Sequence, residues 1–109
     1  MKSAAILFAI FAFCSVAQPK EIVVGSKRFT ESYVLGEIAR IALQKAGFTV
    51  EHKQGMGGTI ILWQALRGGD VQLYPEYTGT LTEEILKTKQ PLSTDALRAL
   101  LRQDRKSVV

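Results

Sequence analysis

The sequence predicts an α/β protein that opens a parallel sheet in the order strand, helix, strand, helix, strand. Three features carry that reading. Short apolar runs end in glycine or a polar turn, as buried parallel strands do. Stretches with apolar residues three and four apart lie between them, and threonines stand where the helices should open. The 109 residues, 47% hydrophobic and 22% charged, accommodate one domain of globular composition.

Residues 1–17 read as an address and not as part of the fold. Lys2 supplies a positive start, Ala4 to Phe13 is an unbroken apolar run, and Ser15 and Ala17 stand three and one before Gln18. That is the layout of a secretory signal peptide cut after Ala17, and the run is too short to span a bilayer comfortably. Cys14 raises a lipoprotein alternative, which Phe13 disfavours. The mature chain then begins at 18, and 18–93 holds the alternating elements that follow.

Ile22, Val23 and Val24 before Gly25 give the first strand, and residues 26–29 a polar loop. Thr30 is placed to cap a helix with Glu31 in its first turn, where the helix dipole favours a carboxylate. Val34, Leu35, Ile38, Ile41, Ala42 and Leu43 form its apolar face, and Gly47 stops it. Residues 48–54 make a second strand. After the turn 55–58, Thr59 caps a largely apolar helix through about Arg67. Residues 71–73 form a third strand, 74–80 a loop, and 81–87 a helical segment. Gln90 and Pro91 break the chain before a last helix opened by Ser93 or Thr94 and carrying Leu97, Leu100 and Leu101. Parallel order puts three loops, 26–30, 55–59 and 74–80, beyond the carboxyl ends of the strands, where ligands bind in such sheets.

Composition and motif spacing remove several classes of function. The formal charge is +4, but the excess gathers in Arg98, Arg102, Arg105 and Lys106, which read as a solvated helix face and not a nucleic-acid stripe. One Cys excludes a disulfide framework. The glycines at 55, 57 and 58 lead into Thr59 and Ile60, so the phosphate-loop pattern is incomplete, although their amides could receive a carboxylate. His52, the single His, reads as a surface residue of a strand. Ser26 has no spaced His and nothing resembles a nucleophile elbow. Glu31, Glu37 and Glu76 are carboxylates that could do acid–base work. No metal or cofactor is indicated.

The stretch from Tyr74 to Thr80 is the most unusual: two Tyr, Pro75, Glu76 and two Thr around Gly79. Aromatic faces of this kind attract poorly hydrated cations, quaternary ammonium groups above all.

These motifs, in order, carry a family resemblance. Val24-Gly25-Ser26-Lys27-Arg28-Phe29-Thr30-Glu31, Leu35-Gly36-Glu37, Gly57-Gly58-Thr59, Ala65-Leu66-Arg67-Gly68-Gly69-Asp70 and Leu73-Tyr74-Pro75-Glu76-Tyr77-Thr78-Gly79-Thr80 together resemble the glycine betaine/choline-binding proteins of osmoprotectant ABC importers, from about Ile22 to Lys87. The resemblance implies a non-enzymatic component with a periplasmic-binding-protein-like (type 2) fold, here a partial first lobe in 18–93. It implies a periplasmic or cell-envelope location and a membrane permease as partner. It assigns Tyr77 to a cage for a quaternary ammonium group, Thr80 to the ligand's polar end, and Lys27 to the lining of the site, where choline-binding relatives often carry Gln.

Lys27 adds an inference of its own. An ammonium repels a bare cation by roughly 4 kcal/mol at about 4 Å and an effective dielectric near 20, but attracts a carboxylate. A zwitterion such as a betaine is therefore expected in preference to choline. Residues 94–109, a terminal helix and tail, extend past the motifs, and the chain reads as an N-terminal fragment that by itself binds weakly and leaves a sheet edge open. A small secreted module that binds another protein or an anionic membrane surface is the alternative.

Overall fold

The computed structural model describes residues 21–106; the leader read at 1–17 lies outside them. Strand β1 (Ile22–Gly25) pairs in parallel with β2 (Val50–Lys53), joined by helix α1 (Thr30–Lys45). Helix α2 (Thr59–Gly68) follows and returns the chain to the other side of β1. A helical turn α3 (Thr78–Thr80) runs into a π-helical stretch (Leu81–Ile85), and α4 (Thr94–Lys106) ends the described part. This is the α/β start that the sequence predicts.

The third strand shrinks to one parallel bridge, Val24 to Leu73. Gly25 N–H donates to the Leu73 carbonyl at 2.9 Å and Gln72 N–H to the Val23 carbonyl at 2.9 Å. The Gln72 side chain takes the Val23 N–H at 2.6 Å, doing the work of a backbone carbonyl. Pro75, which lacks an N–H, follows closely and prevents a longer ladder. The expected loop at 74–80 is likewise shorter, because 78–80 is already helical.

Both early helices stop as glycine dictates. Gly47 at φ +97° lets Phe48 N–H reach the Leu43 carbonyl and Gly47 N–H reach Gln44, a Schellman closure. Gly69 at φ +83° does the same for α2, with Asp70 N–H on the Ala65 carbonyl. The helix starts differ from expectation. The residues preceding α1 and α2 are Phe29 and Gly58, and neither Thr30 nor Thr59 caps through its side chain. Ser93 does cap α4, its Oγ accepting the Ala96 N–H at 3.2 Å.

Val24, Leu62 and Val71 form the buried centre, with Trp63, Ala65, Val50 and Leu97 around them. Burying a side chain such as Leu62 contributes about 1.5–3 kcal/mol. The apolar face of α1 does not join this core: Val34, Leu35, Ile38 and Ile41 are exposed, while Ser32 and Gly36 are buried. The small residues face the sheet because a ring from β2 occupies the space beside Gly36, where a Cβ would stand 2.5 Å from His52 Nε2. Helix α4 is tied to α2 through Trp63 Nε1–H, which donates to Asp104 at 3.0 Å, and it buries Leu97. Its other side carries the exposed Arg98 and Arg102, as read from the sequence.

Candidate functional site

The loops after β1 and before α2 are tied at the carboxyl ends of the strands. Met56 N–H donates to the Ser26 carbonyl and Arg28 N–H to the Gly57 carbonyl, both at 3.1 Å. Between them opens a cavity of about 340 Å³ lined by Lys27, Arg28, Phe29, Gly57, Gly58 and Thr59. The segment 74–80 closes on the same place, since its Glu76 and Tyr77 both reach Lys27.

Lys27 does not point to solvent. Its side chain is 9% exposed and its ammonium donates to Glu76 Oε1 at 2.6 Å and to Thr59 Oγ1 at 3.3 Å. Thr59, expected as a cap, faces this ammonium instead. The same ammonium lies 5.5 Å from the Phe29 ring centroid and 5.8 Å from that of Tyr77. Those rings are 6.4 Å apart and nearly parallel, at 21°. The three points form an almost equilateral triangle, so the ammonium sits beside the ring pair and not between its members.

Glu76 is more deeply buried than Lys27, at 5% side-chain exposure. Its Oε1 also accepts the Tyr77 N–H at 3.0 Å, which fixes the loop that carries the ring. Its Oε2 and the hydroxyl of Tyr74 are buried and make no hydrogen bond of ordinary geometry among the described residues, although the phenol interacts with this carboxylate. Burial first, and then the Glu76 charge, push the Tyr74 phenol well above the usual tyrosine range. Tyr77 is 41% exposed and donates its hydroxyl to Glu31. That bond holds the phenol protonated above its ordinary range and orients the ring. Thr80 is half-buried at the end of α3, on the next turn of chain after Tyr77.

A second cluster lies immediately behind Lys27. Ser26 Oγ and His52 Nε2 are 2.9 Å apart, His52 Nδ1 and Glu37 Oε2 3.0 Å apart, and Arg40 Nε donates to Glu37 Oε1 at 2.8 Å. The Arg40 and His52 hydrogen bonds hold the Glu37 carboxyl down to about 2. The expectations for two of these residues are overturned. His52 is no surface residue, its side chain being 3% exposed. Ser26 has a His partner, brought from 26 residues away by the β1–β2 register.

Sequence reasoning named Lys27, Tyr77 and Thr80 but passed over Phe29 and the pairing of Glu76 with Lys27. An aromatic residue two after Lys27 in a strand-end loop was the available signal for the first. The second depends on a contact 49 residues apart that no local pattern reveals. A further cavity of about 370 Å³, between the π-helical stretch and α4, is lined by Thr, Lys and Glu side chains without an aromatic ring.

Comparison with known proteins matches residues 20–108 to the substrate binding domain of ABC-type glycine betaine transport systems. The chain is 41% identical over 71 residues, 64% of its length, to an ergothioneine transport permease/ergothioneine binding protein of Helicobacter pylori (strain G27). It is 39% identical over 56 residues, 51% of its length, to a glycine betaine-binding protein of Escherichia coli (strain K12). It spans 13% and 18% of the lengths of these two relatives.

Proposed function

This chain belongs to the family of substrate-binding domains of ABC-type glycine betaine transport systems, and from that premise we propose that it forms part of the extracytoplasmic solute receptor of an ABC importer, taking a methylated ammonium zwitterion and passing it to a membrane permease. The observation that carries the proposal is the ring pair of Phe29 and Tyr77 converging with a buried ammonium at the strand ends. The rings offer electron-rich faces to a quaternary nitrogen. Lys27, the amide end of α2 and the hydroxyls of Thr59 and Thr80 offer donors to a carboxylate or other polar end. Glycine betaine and ergothioneine, the solutes in the names of the two relatives, both carry a quaternary nitrogen and a carboxylate. The interaction-module alternative is not favoured by the family match.

Glu76 changes the argument for a zwitterion. With that carboxylate 2.6 Å from the Lys27 ammonium, the pair is neutral and no longer repels a bare cation as a lone lysine would. Selectivity over choline then rests on what the ligand's carboxylate can do for Lys27. Calorimetry on the whole protein with glycine betaine, ergothioneine and choline tests this. A zwitterion should bind more tightly than choline, and Tyr77→Ala should weaken the zwitterion by roughly 2- to 30-fold, the worth of one cation–π contact. Unchanged binding in Tyr77→Ala would remove Tyr77 from the site.

A further inference from the structure

Resting on that reading of the site, we propose that Lys27 is a resident cation: its ammonium fills the cation position when no ligand is bound, and only a ligand bringing its own carboxylate can draw it away. A methylated ammonium needs ring faces and a counter-charge. The structure supplies both at one point, the faces of Phe29 and Tyr77 and the carboxylate of Glu76, and the Lys27 Nζ stands there at 5.5, 5.8 and 2.6 Å respectively.

Three features make the lysine a placeholder and not a fixed strut. It is held by one carboxylate oxygen and one long 3.3 Å contact to Thr59, whereas its flexible four-carbon stem can swing to another acceptor. The second oxygen of Glu76 is buried on the side of the Tyr74 phenol and makes no hydrogen bond of ordinary geometry, so the carboxylate keeps its counter-charge available to an incoming methylated nitrogen. The cavity beside Thr59 adjoins the amino end of α2, where a ligand carboxylate would meet helix amides and the relocated ammonium together. A zwitterion thus exchanges partners pairwise: its nitrogen takes the place of Lys27 near Glu76, and its carboxylate takes the ammonium. A bare cation offers Lys27 nothing, and must leave it stranded or fail to enter. Specificity for zwitterions follows from exchange, not from repulsion.

Tetramethylammonium isolates the cation position because it has no carboxylate. Titrated calorimetrically into the whole protein, it should bind Lys27→Gln about tenfold or more tightly than the parent, while glycine betaine binds Lys27→Gln less tightly than the parent. Glutamine retains an N–H for Glu76, and a thermal melt confirms that the variant is folded. If glycine betaine binds the parent but tetramethylammonium gains nothing in Lys27→Gln, the resident-cation inference is overturned and the solute-receptor reading stands. If neither compound binds parent or variant, both fall. A second measurement needs no substitution: the Lys27 side-chain protons should show upfield ring-current shifts in the free protein that glycine betaine abolishes. Shifts that persist at saturation overturn the proposal.

Discussion

Gly36→Ala is the most informative perturbation of the fold around the site. In an exposed helix interior this change would stabilise by about 1 kcal/mol, because glycine loses more backbone freedom than alanine. Here the new Cβ would lie 2.5 Å from His52 Nε2 and 2.9 Å from Cε1, so the ring must move. The ring cannot move freely, since it is buried between Ser26 and Glu37 and bonded to both. Displacing it leaves the fully buried Ser26 hydroxyl without its partner, at a cost of about 1–3 kcal/mol, and weakens the Glu37 bond by about 1 kcal/mol more. Set against the helix gain, the expected net loss is about 1–3 kcal/mol. Urea unfolding followed by circular dichroism measures it. The same substitution in a His52→Ala background should reverse sign and stabilise by about 1 kcal/mol, because the clash is gone. Gly68→Ala, helical and with open space around its Cβ, serves as a control and should leave stability unchanged or raise it by up to about 1 kcal/mol. A Gly36→Ala protein as stable as its parent would refute the close packing of α1 on His52.

Three other substitutions probe separate parts of the chain. Glu37 has its folded value held near 2, below the ordinary 4.5, so its contribution is present above about 4.5 and lost as pH falls toward 2. Glu37→Gln should therefore flatten the fall in urea midpoint between those pH values, and an unchanged acid limb would exclude Glu37 as the titrating group. Tyr74→Phe removes a buried hydroxyl whose interaction with Glu76 falls short of ordinary hydrogen-bond geometry, and should change stability by no more than about 1 kcal/mol; a larger loss would mean that the hydroxyl bonds Glu76 firmly. Trp63→Phe replaces the buried indole by a smaller ring and removes the N–H on Asp104, and should cost about 1–3 kcal/mol with earlier loss of α4 amide protection in hydrogen exchange. Equal protection in the two proteins would show that the indole N–H does not hold α4.

The sequence announced its elements better than their contacts. The order of strands and helices, the glycine stop at 47 and the last helix's opening at Ser93 or Thr94 were all legible because each depends on a few neighbouring residues. The orientation of α1 was not. Its apolar spacing pointed to one face, yet docking was decided by Gly36 and Ser32, small residues that admit the His52 ring and the Lys27 amide. The threonine starts failed for a similar reason, Thr59 being drawn to an ammonium from β1's loop. Lys27 and Tyr77 were named from a resemblance, and the structure brings those two side chains together. What no pattern could supply was the charge balance, since Glu76 is equally at home in a loop facing solvent.

The Ser26–His52–Glu37 chain has the spacing of an acyl-transfer centre, and its surroundings argue for a different use. A nucleophilic serine must meet its substrate, but Ser26 is 0% exposed. It must also face free amides that can receive an oxyanion. The amide following Ser26, that of Lys27, is already bonded to Ser32 Oγ at 2.8 Å, and the Ser26 amide to the Lys53 carbonyl at 3.1 Å. No atom of a tetrahedral intermediate would have a place there. What the chain does bind together is the end of β1, the middle of β2 and the second turn of α1, three elements that meet one residue before Lys27. Such a mutually satisfied network, buried at Ser26 and His52, fixes a backbone, and the backbone it fixes is the one from which the site's ammonium projects. Rigidity at Ser26 and mobility along the Lys27 stem are complementary: a lysine can exchange one carboxylate for another only if its Cα stays where both remain within reach.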